Sequence, residues 1–151
     1  MGNMSLKSML LWGIGLALAF IILLTVAALI YENNPPVVKE PTWDSPQTRM
    51  LAQRACFDCH SNQTQWPLYD KLPGASWLAV LDTFRGRRHL NFSEWGINPP
   101  GSERNRSVNE IVRVIQNGSM PPRLYTLMHP NAKLTPAEKQ QLIDGLLASL
   151  K

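Results

Sequence analysis

From Met9 to Ile30 the chain runs 22 residues without a charge, and 19 of them are apolar. As an α-helix that run measures about 33 Å at 1.5 Å per residue, against a hydrocarbon core of about 30 Å. The sequence therefore predicts one membrane-crossing helix. It leaves the 120 residues after Tyr31, of 151 in all, for everything else, which is room for one small domain. A secretory apolar core is shorter, and bulky Leu29, Ile30 and Tyr31 stand where small residues would mark cleavage. The run reads as an uncleaved anchor, with Ala27-Ala28 the place that processing would favour.

Lys7 precedes the run and Glu32 follows it. The positive-inside rule then keeps the N-terminus cytoplasmic and exports the rest. This gives a single-pass protein of the inner (cytoplasmic) membrane with a periplasmic or otherwise extracytoplasmic domain. Apolar residues make up 44% of the chain, but the anchor uses a large share of them. A domain so lean gains from a disulfide, a metal or a large cofactor. A simple soluble enzyme, a multidomain protein and a polytopic transporter are all disfavoured. The net charge of +4 contains no Lys/Arg block, so it suits an acidic partner or anionic lipid and not nucleic acid.

All twelve prolines fall between Pro35 and Pro136, which excludes long uninterrupted helices there. Residues 1–31 form the anchor, 32–45 a proline-rich extended linker, and 46–151 the domain. Ser45-Pro46 is a cap with proline in the first helical position, opening a helix from Gln47 to about His60. A second helix is expected over Ala75–Arg85, with Gly86 available to end it. Ser107-x-x-Glu110 opens a third over Val108–Gln116 with Gly118 as its stop, and Thr135-Pro136-x-Glu138 opens a fourth. Asn91–Arg106 reads as loop, and strand signals are almost absent. The expectation is an all-α, small cytochrome-c-like domain of about four short helices with long loops.

Cys56-Phe57-Asp58-Cys59-His60 is C-x-x-C-H, the attachment signature of c-type haem. Positions three apart share a helix face, so both thiols can meet the two vinyl groups along one porphyrin edge. His60 then reaches the iron as proximal ligand. A thioredoxin-like pair would sit beside a βαβ pattern that this chain lacks. Zinc would need further ligands, and a disulfide across two residues would be strained and leave His60 idle.

Around the motif the chain resembles a family. The run Cys56-x-x-Cys59-His60-Ser61-Asn62-x-Thr64-x-Trp66-Pro67-x-Tyr69, then Ser76-Trp77-Leu78, is similar to the bacterial haem-binding domain family of monohaem c-type cytochromes. So are Gly86-Arg87-Arg88-His89-Leu90-Asn91-Phe92-Ser93-Glu94-Trp95, Met120-Pro121, Tyr125 and His129-Pro130-x-Ala132-x-Leu134. The resemblance implies one covalent haem c and a membrane-anchored or secreted location, without implying a defined reaction. Leu68 stands where an aromatic is common. Asp82 stands where members often carry histidine, which argues against a second histidine ligand from that position.

Candidates for the sixth iron ligand are Met50, Met120, Met128, His89 and His129. Met120 is favoured because it lies between Gly118 and Pro121-Pro122, in a loop where extended backbone can bring a thioether inward. His129 and His89 are the alternatives, and Met50 is expected to pack in the core. Trp66, Tyr69, Trp77, Phe92, Trp95 and Tyr125 suggest an aromatic-rich interior; each reads first as plain core, and an indole such as that of Trp66 can also donate to a haem propionate. Arg87, with Arg85 and Arg88, can neutralise propionates or meet an acidic partner, or simply form a solvated basic face. The leading expectation is a single-electron carrier, free-standing or within a respiratory or photosynthetic complex, rather than a catalyst. Its partners are redox proteins or a membrane electron-transfer complex, with lipid around residues 9–30. The alternative is an open-site haem protein with a peroxidase-like or small-gas-sensing role.

Overall fold

The chain is seen here in a computed structural model that describes residues 5–72, 74–97 and 107–150. Helix α1 spans Leu6–Tyr31, capped by the Ser5 hydroxyl, which accepts from the Ser8 amide. Its one hydroxyl within the apolar run, Thr25, donates back to the Ile21 carbonyl at 2.9 Å, which suits a helix surrounded by hydrocarbon. Only Ala28 of α1 is buried by protein.

After α1 come α2 (Pro46–Ala55), α3 (Phe57–His60), a 3-10 turn (Leu68–Lys71) and α4 (Ala75–His89). Then follow α5 (Val108–Gln116), α6 (Arg123–Met128), a second 3-10 turn (Pro130–Ala132) and α7 (Pro136–Ser149). The architecture is all-α, and among the described residues there is no strand, only an isolated parallel bridge between Lys39 and Glu94. Among the described residues there are seven α-helices, the anchor α1 and six in the domain, α2 to α7, where about four were expected. One extra helix arises because Cys56, at φ −130°, breaks the helix expected to run on to His60. Another, α6, starts immediately after Pro122, which serves as its N-cap. The expected stop at Gly86 is also corrected, since α4 runs through it to His89. The loop expected over Asn91–Arg106 is described only as far as Ile97, its remainder lying outside the described residues.

The caps fall where sequence chemistry puts them. The Ser45 hydroxyl accepts from the Thr48 amide ahead of α2. Thr135 and Glu138 form a reciprocal capping box on α7, and Gly118, at φ +74°, lies just past the end of α5. The chain divides into two compact units, one of residues 1–33 and 66–81, the other of 34–65 and 82–151.

In the second unit, Leu51 and Ala52 of α2, Ile111 and Ile115 of α5, and Leu142 and Leu146 of α7 make the aliphatic core. Gly145 lets α7 cross α2 closely, since a Cβ there would overlap the side chain of buried Thr48. The segment expected to be a linker is extended but laced to this unit. The Val38 and Lys39 amides both donate to the Ser93 carbonyl, and Trp95 N–H donates to the Lys39 carbonyl.

Glu40 anchors that lacing. Arg49 donates to both its carboxylate oxygens at 2.8 Å, and Trp43 Nε1 and Gln63 Nε2 donate at 2.9 Å. The Arg49 hydrogen bonds, outweighing burial, hold the Glu40 carboxyl down to about 2 from its usual 4.5. A depressed folded value contributes stability that is complete above about 4.5 and lost as pH falls through about 2. Urea unfolding of the full chain in detergent, stepped downward from pH 6, should therefore show a loss that begins below about 5. Glu40→Gln should start less stable and lose less over that window; an unchanged pH slope would count against the pairing.

Candidate functional site

The motif occupies one turn. Cys59 and His60 N–H both donate to the Cys56 carbonyl, at 3.2 and 2.8 Å, after Cys56 N–H closes α2 on Ala52. Phe57, almost fully buried, points into an aromatic group with Phe92, Trp43 and Trp95, and its ring lies 5.7 Å from that of Phe92. That anchor fixes the turn from inside while Cys56, Cys59 and His60 stay partly exposed.

Both cysteines are free thiols. Burial, with the neighbouring Cys59, pushes Cys56 up to about 12; burial, then Asp82 and Asp58, does the same to Cys59. A redox-active dithiol needs the opposite shift, toward thiolate. With His60 on the same turn, the two thiols form the C-x-x-C-H arrangement that attaches a haem.

His60 Nδ1 lies 3.0 Å from the Gly86 carbonyl oxygen and 3.2 Å from that of Leu90. Carbonyl oxygens only accept, so Nδ1 is the protonated nitrogen and Nε2 carries the lone pair. This is the tautomer that an iron ligand requires. The acceptors come from the carboxyl end of α4 and the residue beyond it, where the helix dipole is negative. That environment makes the imidazole a stronger donor to a metal.

Gly86 permits the arrangement, since a Cβ at this position would overlap the Cys59 carbonyl. The stretch after the motif is then locked by buried polar groups. The Ser61 hydroxyl donates to the Phe57 carbonyl, Asn62 N–H donates to Ser93 Oγ, and Asn91 Nδ2 donates to Asn62 Oδ1. Phe92 N–H donates to the His60 carbonyl at 2.8 Å. The strings Ser61-Asn62 and Asn91-Phe92-Ser93 are thus the frame of the histidine.

Arg87 joins that frame. Its Nε donates to the Ser61 carbonyl, and a terminal nitrogen donates to Asn34 Oδ1 and Thr64 Oγ1, each within 2.9 Å. Burial lowers its pKa. Its visible work is to fasten the chain on either side of the motif. Trp66 belongs to the first compact unit and the motif to the second; the Trp66 indole nitrogen is buried without a partner among the described residues.

Of the ligand candidates, Met120 sits just past α5, its N–H held by the Val114 carbonyl at 3.0 Å and the residue as a whole 37% exposed. The Met120–Pro121 bond is cis. His89 closes α4, half-buried. Met50 is 49% exposed on α2, not in the core as expected, because the core face of that helix belongs to Leu51, Ala52 and Ala55.

His129 comes near the motif in a way the sequence did not suggest. Its ring stacks on Tyr125 at 4.3 Å, and the Tyr125 hydroxyl donates to Asp58 Oδ2 at 2.7 Å. Burial and the Asp58 hydrogen bond raise the Tyr125 pKa, with smaller contributions from Cys59 and Cys56. Tyr125 and Asp58 are 67 residues apart, so no local spacing signals the pair.

Helix α6 supplies a test of what fits here. Leu124, Tyr125, Leu127 and Met128 are four of its six residues, yet none of the six is buried. An apolar helix held against a motif with two thiols and an imidazole is short of one large apolar cover. A porphyrin is such a cover, and the donor set of two thiols and one Nε2 matches it.

A family model described as a haem-binding domain matches residues 19–148. Over 97 residues the chain is 28% identical to a cytochrome c peroxidase, Ccp, of Escherichia coli (strain K12). The matched stretch covers 62% of this chain but only 20% of that protein. No solved structure matches the chain.

Proposed function

The chain belongs to the haem-binding domain family and carries the attachment site for one covalent haem c; from that premise we propose that it is a membrane-tethered haem protein of peroxide reduction. In this reading the domain is extracytoplasmic, as the charges flanking α1 favour, and the sixth iron position is open to a small ligand. The observation that carries it is the likeness to a protein described as a cytochrome c peroxidase.

Cys56 and Cys59 would hold the group by thioethers and His60 would ligate the iron, which supplies one electron as it cycles between ferrous and ferric. Reducing peroxide to two waters takes two electrons and two protons, so over each turnover a partner must deliver both electrons. The chain's own contribution is position and protons. The α4 carbonyls orient His60, and Asp58 holds the Tyr125 hydroxyl, whose raised pKa keeps it a neutral donor. Tyr125 in turn presents the stacked His129, the candidate general acid–base.

One observation favours a second reading, a closed single-electron carrier with Met120 as sixth ligand. The chain spans only a fifth of that relative, so an electron-feeding module would need no peroxide site of its own. Absorption spectra of the purified full chain separate the two. An open site binds carbon monoxide in the ferrous state, and peroxide oxidises it rapidly. A ferrous protein inert to both rejects the open site. In that case Met120→Ala should create carbon monoxide binding, whereas His129→Ala should not.

A further inference from the structure

Four exposed leucines outside α1 fall in the first compact unit, and three of them stand out furthest: Leu68, 89% exposed, with Leu72 and Leu78, each 60%. Leu124 and Leu127, also exposed, lie on α6, whose Tyr125 bonds to the motif's Asp58, and a bound porphyrin would offer them cover. Leu68, Leu72 and Leu78 have no such cover, yet they share their unit with the membrane helix. The 3-10 turn that begins at Leu68 is tied to the end of α1, because Lys71 Nζ forms an ion pair with the buried carboxylate of Glu32.

The depth follows from the length of the span. An apolar run of about 33 Å uses up the hydrocarbon core by Ile30, and the polar headgroup layer adds only about 5–8 Å on each side. Glu32 lies two residues beyond, in that layer. A turn paired to Glu32 through one lysine side chain is held at the same level. Trp66, Tyr69 and Trp77 flank these leucines, half-buried, and such amphipathic rings favour the membrane–water boundary.

We infer that residues 66–81 are an interfacial lipid-docking surface, with Leu68, Leu72 and Leu78 set into the headgroup layer beside the exit of α1. The anchor is then α1 plus a monolayer contact. This goes beyond the haem reading and rests on α1 crossing the bilayer.

The full chain, reconstituted into phosphatidylethanolamine–phosphatidylglycerol vesicles, tests it. Single substitutions Leu68→Cys, Leu72→Cys, Leu78→Cys, Tyr31→Cys and Gln141→Cys each receive an environment-sensitive fluorophore. Lipids with a nitroxide on the upper acyl chain should quench the probes at 68, 72 and 78 as strongly as the one at 31. The probe at 141 should respond only to aqueous iodide. Quenching at 31 with an iodide-only response at 68, 72 and 78 overturns the surface while sparing the span. Probes at those positions shielded from both quenchers also overturn it, in favour of a second copy or another protein. Release of the chain by alkaline carbonate removes the span, and the surface falls with it. Mass spectrometry keeps the haem reading separate, since more than one fluorophore per chain reports an unoccupied Cys56 or Cys59.

Discussion

Cys56→Ala combined with Cys59→Ala is expected to abolish covalent haem, and with it most of the ordered structure around α6. Two thioethers survive acid-acetone, whereas axial ligation by His60 does not. The wild-type polypeptide should therefore keep its colour through extraction, and the double variant should release it. Each single variant should retain one thioether and stay coloured, with a shifted α-band because one vinyl group remains unsaturated. The structural consequence follows from burial. No residue of α6 is buried by protein, so a bound porphyrin would be the cover for its four apolar residues. Loss of the group leaves them in water at about 25 cal/mol per Å² of apolar surface. Near-ultraviolet circular dichroism and proteolysis between Pro122 and His129 should report that loosening. Haem remaining on the double variant after extraction would remove the central assignment.

Much of this fold is legible in the sequence because its signals are local. The Ser45 and Thr135 caps and the glycine beyond α5 each act within about one turn, the apolar run is one contiguous stretch, and each reappears in the structure. The spacing within Cys56–His60 is equally local, so the site could be named from five residues. What escaped is non-local. Spacing alone continues the helix of Gln47 to His60 smoothly, yet Cys56 departs from helical φ so that Phe57 can turn into the core. Pro121-Pro122 reads as extended chain, but α6 begins directly after it, with Pro122 as its N-cap. The Tyr125–Asp58 bond joins residues with no shared periodicity. Arg87 reads as a propionate partner or a solvated cation, and its bond to the Ser61 carbonyl, 26 residues away, has no signal in the sequence.

Gly86 shows most sharply how a local rule misleads, and Gly86→Ala should show it by the sign of its effect. In an exposed helix interior, glycine to alanine stabilises by about 1 kcal/mol, and Gly86 lies inside α4. Here the added Cβ would overlap the Cys59 carbonyl and crowd Cys59 Cβ. Backbone and a thioether-bound side chain cannot rotate aside, so α4 must move away from the motif. The expected result is a loss of about 3 kcal/mol, the upper range for overpacking, or on the order of 15 °C in Tm for a domain of this size. The shift also reaches the iron ligand, because Gly86 itself supplies the carbonyl 3.0 Å from His60 Nδ1. A longer hydrogen bond makes the imidazole a weaker donor, so the reduction potential should rise and the Soret band should move while haem stays covalently bound. Gly145→Ala, which crowds Thr48 in the α2–α7 crossing, serves as the control. It should lower Tm without touching the potential. A stabilised Gly86→Ala protein with a wild-type potential would mean that α4 does not press on Cys59, and the carbonyl control of His60 would have to be abandoned.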